Sequence, residues 1–211
     1  VAWDITEQAL SDCARLKQEG ALEPIDYGVV STDGIPASLI DSEWVGLLTY
    51  SLVIGWQAEK FGENGPQSWA DFWNTEAYPG TRAMFKSVSH ALEAALMADG
   101  VDPMDVNTIL RSAGGVDRAF AKLQEIAPDI TVWYRGGSQA AQLMADEEIE
   151  IIQIGNGRAE ALNADSTKVG FTWNQGTTDA DCLLVPKGAP NRENAMLVIN
   201  EILSADSQAR M

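Results

Sequence analysis

Two carboxylates, Asp179 and Asp181, stand two residues apart in WNQGTTDADCLLVPKG (173–188), where a polar, turn-prone run meets an apolar one. Residues i and i+2 of a strand point to one face, so a strand that has begun by Asp179 aims both acids into one space and makes a seat for a cation. An isolated acid pair also serves as a solvated turn before a buried strand, and the rest of the chain must separate the two readings. Glu7 precedes a helical pattern, where it joins a cation site or caps the first turn. Tyr50 and Trp173 offer aromatic faces that stack on alkyl chains or attract an ammonium group, and each could equally be a packing residue. Ser138 and Gln139 follow the glycines of RGGSQ, and Asn156 lies in GNGR (155–158). Glycine there lets the backbone approach a ligand, although such corners are also ordinary connections. These groups bind, and none of their spacings demands covalent chemistry.

The elements that must hold them alternate. Residues 2–6 read as a strand and 8–18 as a helix ended by Gly20. Residues 26–44 read as a linker. Residues 45–56 form a buried strand interrupted by Thr49, Tyr50 and Ser51. From Pro66 onwards the pattern is that of a layered α/β domain. Ser68 caps a helix carrying Trp69, Phe72 and Trp73, 81–85 is a strand, and 88–98 is a helix stopped by Asp99 and Gly100. Asp102 and Pro103 read as N-cap and first residue of the next helix. Val116, Ala119, Phe120, Leu123 and Ile126 form a core-facing stripe. Strands follow at 130–134, 149–154 and 169–173, Ser138 reads as a helix cap, and 191–203 closes as an amphipathic helix. In an open α/β sheet ligands gather at the carboxyl ends of strands, where helix N-termini also point.

Composition narrows the partners. The 211 residues carry 14 Lys and Arg against 31 Asp and Glu, a formal charge of −17. That balance opposes nucleic-acid or anionic-membrane partners and suits a cationic solute, though acidity also confers solubility alone. No apolar stretch approaches the ~20 residues of a membrane-spanning helix. The lone His90 rules out a multi-histidine metal site, and no glycine cluster has the spacing of a dinucleotide or P-loop site, so neither a metal nor another cofactor is expected. Cys13 and Cys182 have no CxxC or metal-type spacing. They are independent buried thiols or, in an oxidising compartment, a pair whose Cα atoms must come within roughly 7 Å.

Several blocks, in this order, carry a resemblance: TEQALSDCARLKQEGALEPID (6–26), VGLLTYSLVIGW (45–56), SWADFWNTEAYPGTR (68–82), ALMADGVDP (95–103), GGVDRAFAKL (114–123), WYRGGSQAAQLMAD (133–146), IGNGR (154–158) and the D-x-D with its P-K-G. The chain resembles the spermidine/putrescine-type substrate-binding proteins of ABC importers over nearly its whole length. The resemblance implies an α/β, periplasmic-binding-protein-like fold of type II, trimmed at both ends, with one lobe from 1–48 plus 182–211 and the other from 54–178. Two strands near 49–53 and 179–183 would form the hinge. It implies a monomer without enzymatic activity, in the periplasm or tethered outside the membrane, that captures a small cationic or nitrogenous solute between its lobes and delivers it to a membrane permease. Departures matter. Ser87 and His90 stand where polyamine binders carry acids, Gly155 where they carry an aromatic, and Asp179 where they carry a tryptophan, while Asp181 matches. A shorter amine or an amino acid therefore competes with a polyamine as ligand. The usual partner of the first cysteine in the family lies near Glu43 and is missing here. An enzyme using Glu7, Asp179, Asp181 and His90 as acid/base groups, or the sensing domain of a regulator, are the alternatives.

Overall fold

The apolar runs LVIGW (52–56), AMF (83–85) and II (151–152) offer side chains to both faces, as befits strands covered on both sides. The computed structural model describes residues 2–165 and 167–210, Ser89 by its backbone alone; the expected lobe limits at Val1 and Met211 lie outside the described residues. In chain order come β1 (Thr6–Ala9), α1 (Leu10–Gln18), β2 (Trp44–Gln57), α2 (Ala58–Phe61), α3 (Trp69–Trp73), β3 (Arg82–Phe85), α4 (Val88–Ala98), α5 (Val106–Arg111), α6 (Gly115–Ile126), β4 (Ile130–Tyr134), α7 (Gly137–Ala145), β5 (Ile151–Gly155), α8 (Asn156–Ala164), β6 (Val169–Leu184), α9 (Arg192–Ile202) and α10 (Ala205–Gln208). Hydrogen-bonded neighbours follow the order β1-β6-β2-β5-β3-β4. The sheet is mixed: β3 runs parallel to β4 and β5, whereas β2 is antiparallel to β5 and β1 to β6. Two compact units divide the chain, one of Val1–Thr49 with Asp179–Met211 and one of Tyr50–Thr178. Both β2 and β6 pass from one unit into the other.

In the second unit the alternation of strand side chains sorts two cores. Ile54, Met84 and Ile151 face Trp69, Phe72, Leu96 and Ile126. Their chain neighbours Val53, Ala83 and Ile152 face the other way, onto Tyr134, Met144 and Leu162. In the first unit Leu183 and Val185 pack with Val45, Leu47 and, from α9, Ala195, Met196 and Ile199. Cys182 and Leu184, on the opposite face of β6, pack with Cys13, Leu22 and Trp44. Cys13 and Cys182 are disulfide-bonded, with Cα atoms 6.8 Å apart.

Several local readings are corrected. The first strand lies at Thr6–Ala9, not 2–6, so Glu7 is a strand residue and no helix cap. Residues 173–178 belong to β6, where backbone pairing overrides the turn preference of a polar sequence, although Gln175 adopts a left-handed backbone (φ 58°) within the strand. Asp102 accepts a hydrogen bond from the Met104 N–H in a turn, and the helix starts only at Val106. Ser138 is the second residue of α7, whose N-cap is Gly136. Val116 and Phe120 are exposed, so the buried stripe of α6 is narrower than its sequence suggests.

One charge sits in the core. Arg82, 1% exposed, spreads its guanidinium over backbone carbonyls: Nε donates to Phe72 O at 3.0 Å, Nη1 to Gly80 O at 2.7 Å, and Nη2 to Tyr78 O and, at 3.5 Å, to Asn74 O. These bonds replace the water lost on burial and pin the irregular segment after α3. Arg82→Leu leaves those carbonyls without partners and should lower unfolding free energy by about 3 kcal/mol, read by urea titration. Arg82→Lys should recover less than half of the loss, since an ammonium group cannot reproduce the planar fork.

Candidate functional site

Because β6 is extended through position 181, Asp179 and Asp181 share a face and Ala180 turns into the core. The antiparallel register sets Ala9 opposite Asp181 and Glu7 opposite Leu183. Cross-strand partners share a face, so Glu7 stands diagonally from Asp181 on the side that carries Asp179. The backbone N–H of Ala180 donates to Asp179 Oδ1 at 2.8 Å. Asp181 is half-buried, and its pKa is raised from 3.8 to about 6. Burial is the first cause, the charge of Glu7 and a hydrogen bond to it come next, and the charge of Asp179 adds to them. Three acids thus crowd a spot that a cation would relieve.

The other expected residues lie in the second unit. Parallel β3, β4 and β5 end at corners that open α4, α7 and α8, and Ser87, Ser138, Gln139 and Asn156 belong to those corners. Ser87 occupies the N-cap position of α4, and its backbone N–H donates to Phe85 O at 2.8 Å. His90, one turn on, is buried, with Nδ1 3.1 Å from Thr177 Oγ1 and 3.8 Å from Glu93 Oε2. Gln139 Oε1 accepts from the Arg135 N–H at 3.0 Å, closing the Gly136–Gly137 corner. Asn156 Oδ1 accepts from the Ser51 N–H at 2.9 Å and so ties the third corner to β2, while Ser51 and Thr178 join hydroxyls at 2.9 Å. Tyr50 is half-buried and close to Tyr134, whose phenol burial pushes far up and whose OH donates to Gln153 O at 2.5 Å. Trp173, 60% exposed, packs edge-on against Phe171.

Three contributors went unseen in the sequence. Ser51 and Thr177 link strands to corners, and the only hint of Ser51 was the polar interruption of an apolar strand. Arg158, in the first turn of α8, lies over Gly137, where a Cβ would come 3.2 Å from its Nε. That places a guanidinium between two corners. Among the described residues no His, Cys, Asp and Glu group suits a metal ion, and no helix is long and apolar enough to cross a membrane.

The acid trio makes a titration prediction. Folded Asp181 keeps its proton up to about pH 6, whereas the unfolded chain releases it near 3.8. The folded state binds more protons in that window, so stability should fall as pH rises from 4 to 6. Carboxyl carbon NMR should give Asp181 a midpoint near 6 that moves down in Glu7→Gln. A midpoint near 4 in the parent protein would show that the acids do not interact.

All 211 residues match the family model described as bacterial extracellular solute-binding protein. The gamma-aminobutyric acid-binding protein of Pseudomonas aeruginosa is 35% identical over 196 residues, which cover 91% of this chain and 54% of that protein. Among solved structures, the PBP MotA from A. tumefaciens B6 in complex with glucopine superposes with a TM-score of 0.93 at 34% identity, covering 99% of this chain and 64% of that one. The structure described as Atu4243-GABA receptor gives a TM-score of 0.85 at 36% identity, with coverages of 99% and 63%. The chain therefore spans a little over half to just under two thirds of the length of these relatives. On the full-length family match and these identities, the chain belongs to the bacterial extracellular solute-binding proteins.

Proposed function

We propose that this chain is part of the solute-binding component of an ABC importer, and that it captures a small amine-bearing solute for delivery to a membrane permease. The observation that carries the reading is the half-buried Asp181, which the β1–β6 register sets on one face with Glu7 and Asp179 and whose pKa is raised to about 6. A buried carboxylate is costly until it is paired, and an ammonium group is the partner that fits. The corner residues Ser87, Ser138, Gln139 and Asn156, with Tyr50 and Trp173, are in this reading the remaining ligand contacts. The passages of β2 and β6 between the units, within 49–53 and 179–183, act as the hinge on which capture turns, and the protein works as a monomer in the periplasm.

Arg158 sharpens the ligand class. A diamine would need acids at both ends, whereas a guanidinium beside Gly137 and the N-termini of α7 and α8 suits a carboxylate. A short amino acid, which carries a carboxylate as well as an ammonium group, is favoured over a polyamine, and the kinship to the gamma-aminobutyric acid-binding protein agrees with this. The relatives named above are binding proteins or a receptor, which supports a non-enzymatic role.

Thermal-shift and calorimetric titrations with gamma-aminobutyric acid, putrescine, glucose and succinate test the proposal. The amino acid should stabilise the protein most, with no product formed. Asp181→Asn should cost about 2 to 5 kcal/mol of binding free energy, and affinity should fall as pH drops below 6. Stabilisation by the sugar or the diacid alone, or undiminished amine binding by Asp181→Asn, overturns the reading.

A further inference from the structure

The carboxylates face one side of the β1–β6 pair, and the disulfide lies on the other. Gln8 pairs with Cys182 in the register that pairs Ala9 with Asp181, so Gln8 and Cys182 share the face turned away from Glu7 and Asp181. Cys182 follows Asp181 directly. Cys13 lies in α1, which begins immediately after β1. The two sulfurs stand 3.7 and 3.5 Å from the carbonyl oxygen of Gln8, the residue after Glu7. The bridge is thus built around the backbone of the two segments that bear the acids.

A mechanical need goes with that placement. β1 has only four residues and sits at the end of the strand order, with β6 as its neighbour. Short edge strands hold weakly by pairing alone. Glu7 and Asp181 repel each other when both are ionised. Opening β1 would relieve that repulsion without any ligand. We propose that the Cys13–Cys182 disulfide is a positioning element of the solute site, holding Glu7 against Asp181 so that a bound cation, rather than local opening, neutralises the pair. The proposal rests on the cation-site reading for its effect on affinity, and on the register and bridge alone for its effect on β1. Both cysteines are fully buried, so the bridge is shielded from solvent thiols while the strand pair stays closed.

The experiment combines Cys13→Ala with Cys182→Ala, which leaves no reactive thiol, and compares that protein with one that also carries Glu7→Gln. Amide exchange at Gln8 and Ala9 is read at pH 7.5, alongside binding of gamma-aminobutyric acid and putrescine. Without the bridge, protection of β1 should drop roughly tenfold or more, and adding Glu7→Gln should restore most of it. Affinity of the bridge-less protein for whichever amine the parent binds should fall by a similar factor. A disulfide that serves only to stabilise the unit would lower protection equally with and without Glu7→Gln, and that outcome overturns the proposal. So does parental protection and affinity in the bridge-less protein. Should the double alanine variant fail to fold, Cys13→Val with Cys182→Ala refills the buried space and takes its place. If the parent binds neither amine, the cation reading fails, while the exchange comparison still decides whether the bridge holds the acids together.

Discussion

Everything at the candidate site depends on β6 staying extended through a sequence that would rather turn. Its sixteen residues take in the polar WNQGTTDAD, with one left-handed residue at Gln175, and the ladder supplies the backbone partners that such residues otherwise seek in local side-chain turns. Continuity is what gives Asp179 and Asp181 a common face. It is also what lets Thr177 meet His90 and Thr178 meet Ser51 in one unit, while Asp181 meets Glu7 in the other. A turn anywhere in 173–178 would detach the acids from the register set by β1.

The two units meet chemistry with different means. In the first, like charges are crowded against a partly dry surface, and the answer is a shifted proton equilibrium. In the second, polar groups are mostly spent on one another: Asn156 on Ser51, Gln139 on Arg135, Gln57 on the carbonyls of Met144 and Ile149. Such spent groups hold the corners in shape.

What was legible in the sequence follows the strength of the local signal. The buried strands near 45–56 and 130–134 and the helix at 88–98 were readable because a sheet or helix covered by core leaves a long, unambiguous pattern. The acid pair was readable from spacing alone, and Glu7 was named as its companion, although as a residue near a helix start. Its diagonal contact with Asp181 depends on a pairing between positions some 170 apart, which no local pattern records. Arg158 was silent because its meaning comes from Gly137, two elements earlier. The cysteines could be named as a possible pair, yet only the register shows that they back onto the acids.

Arg82 carries an implication for how this chain can drift. Its guanidinium hydrogen-bonds main-chain oxygens, those of Phe72, Asn74, Tyr78 and Gly80, and stands 5.9 Å from the centre of the Phe72 ring; every amino acid presents the same oxygen. The intervening loop can therefore change its side chains, Glu76 and Ala77 for instance, without disturbing the bonds that hold it. In these hydrogen bonds identity is required of the arginine alone. A loop of free spelling anchored by one residue of fixed spelling lets the surface near α3 diversify while the sheet beneath it keeps its shape.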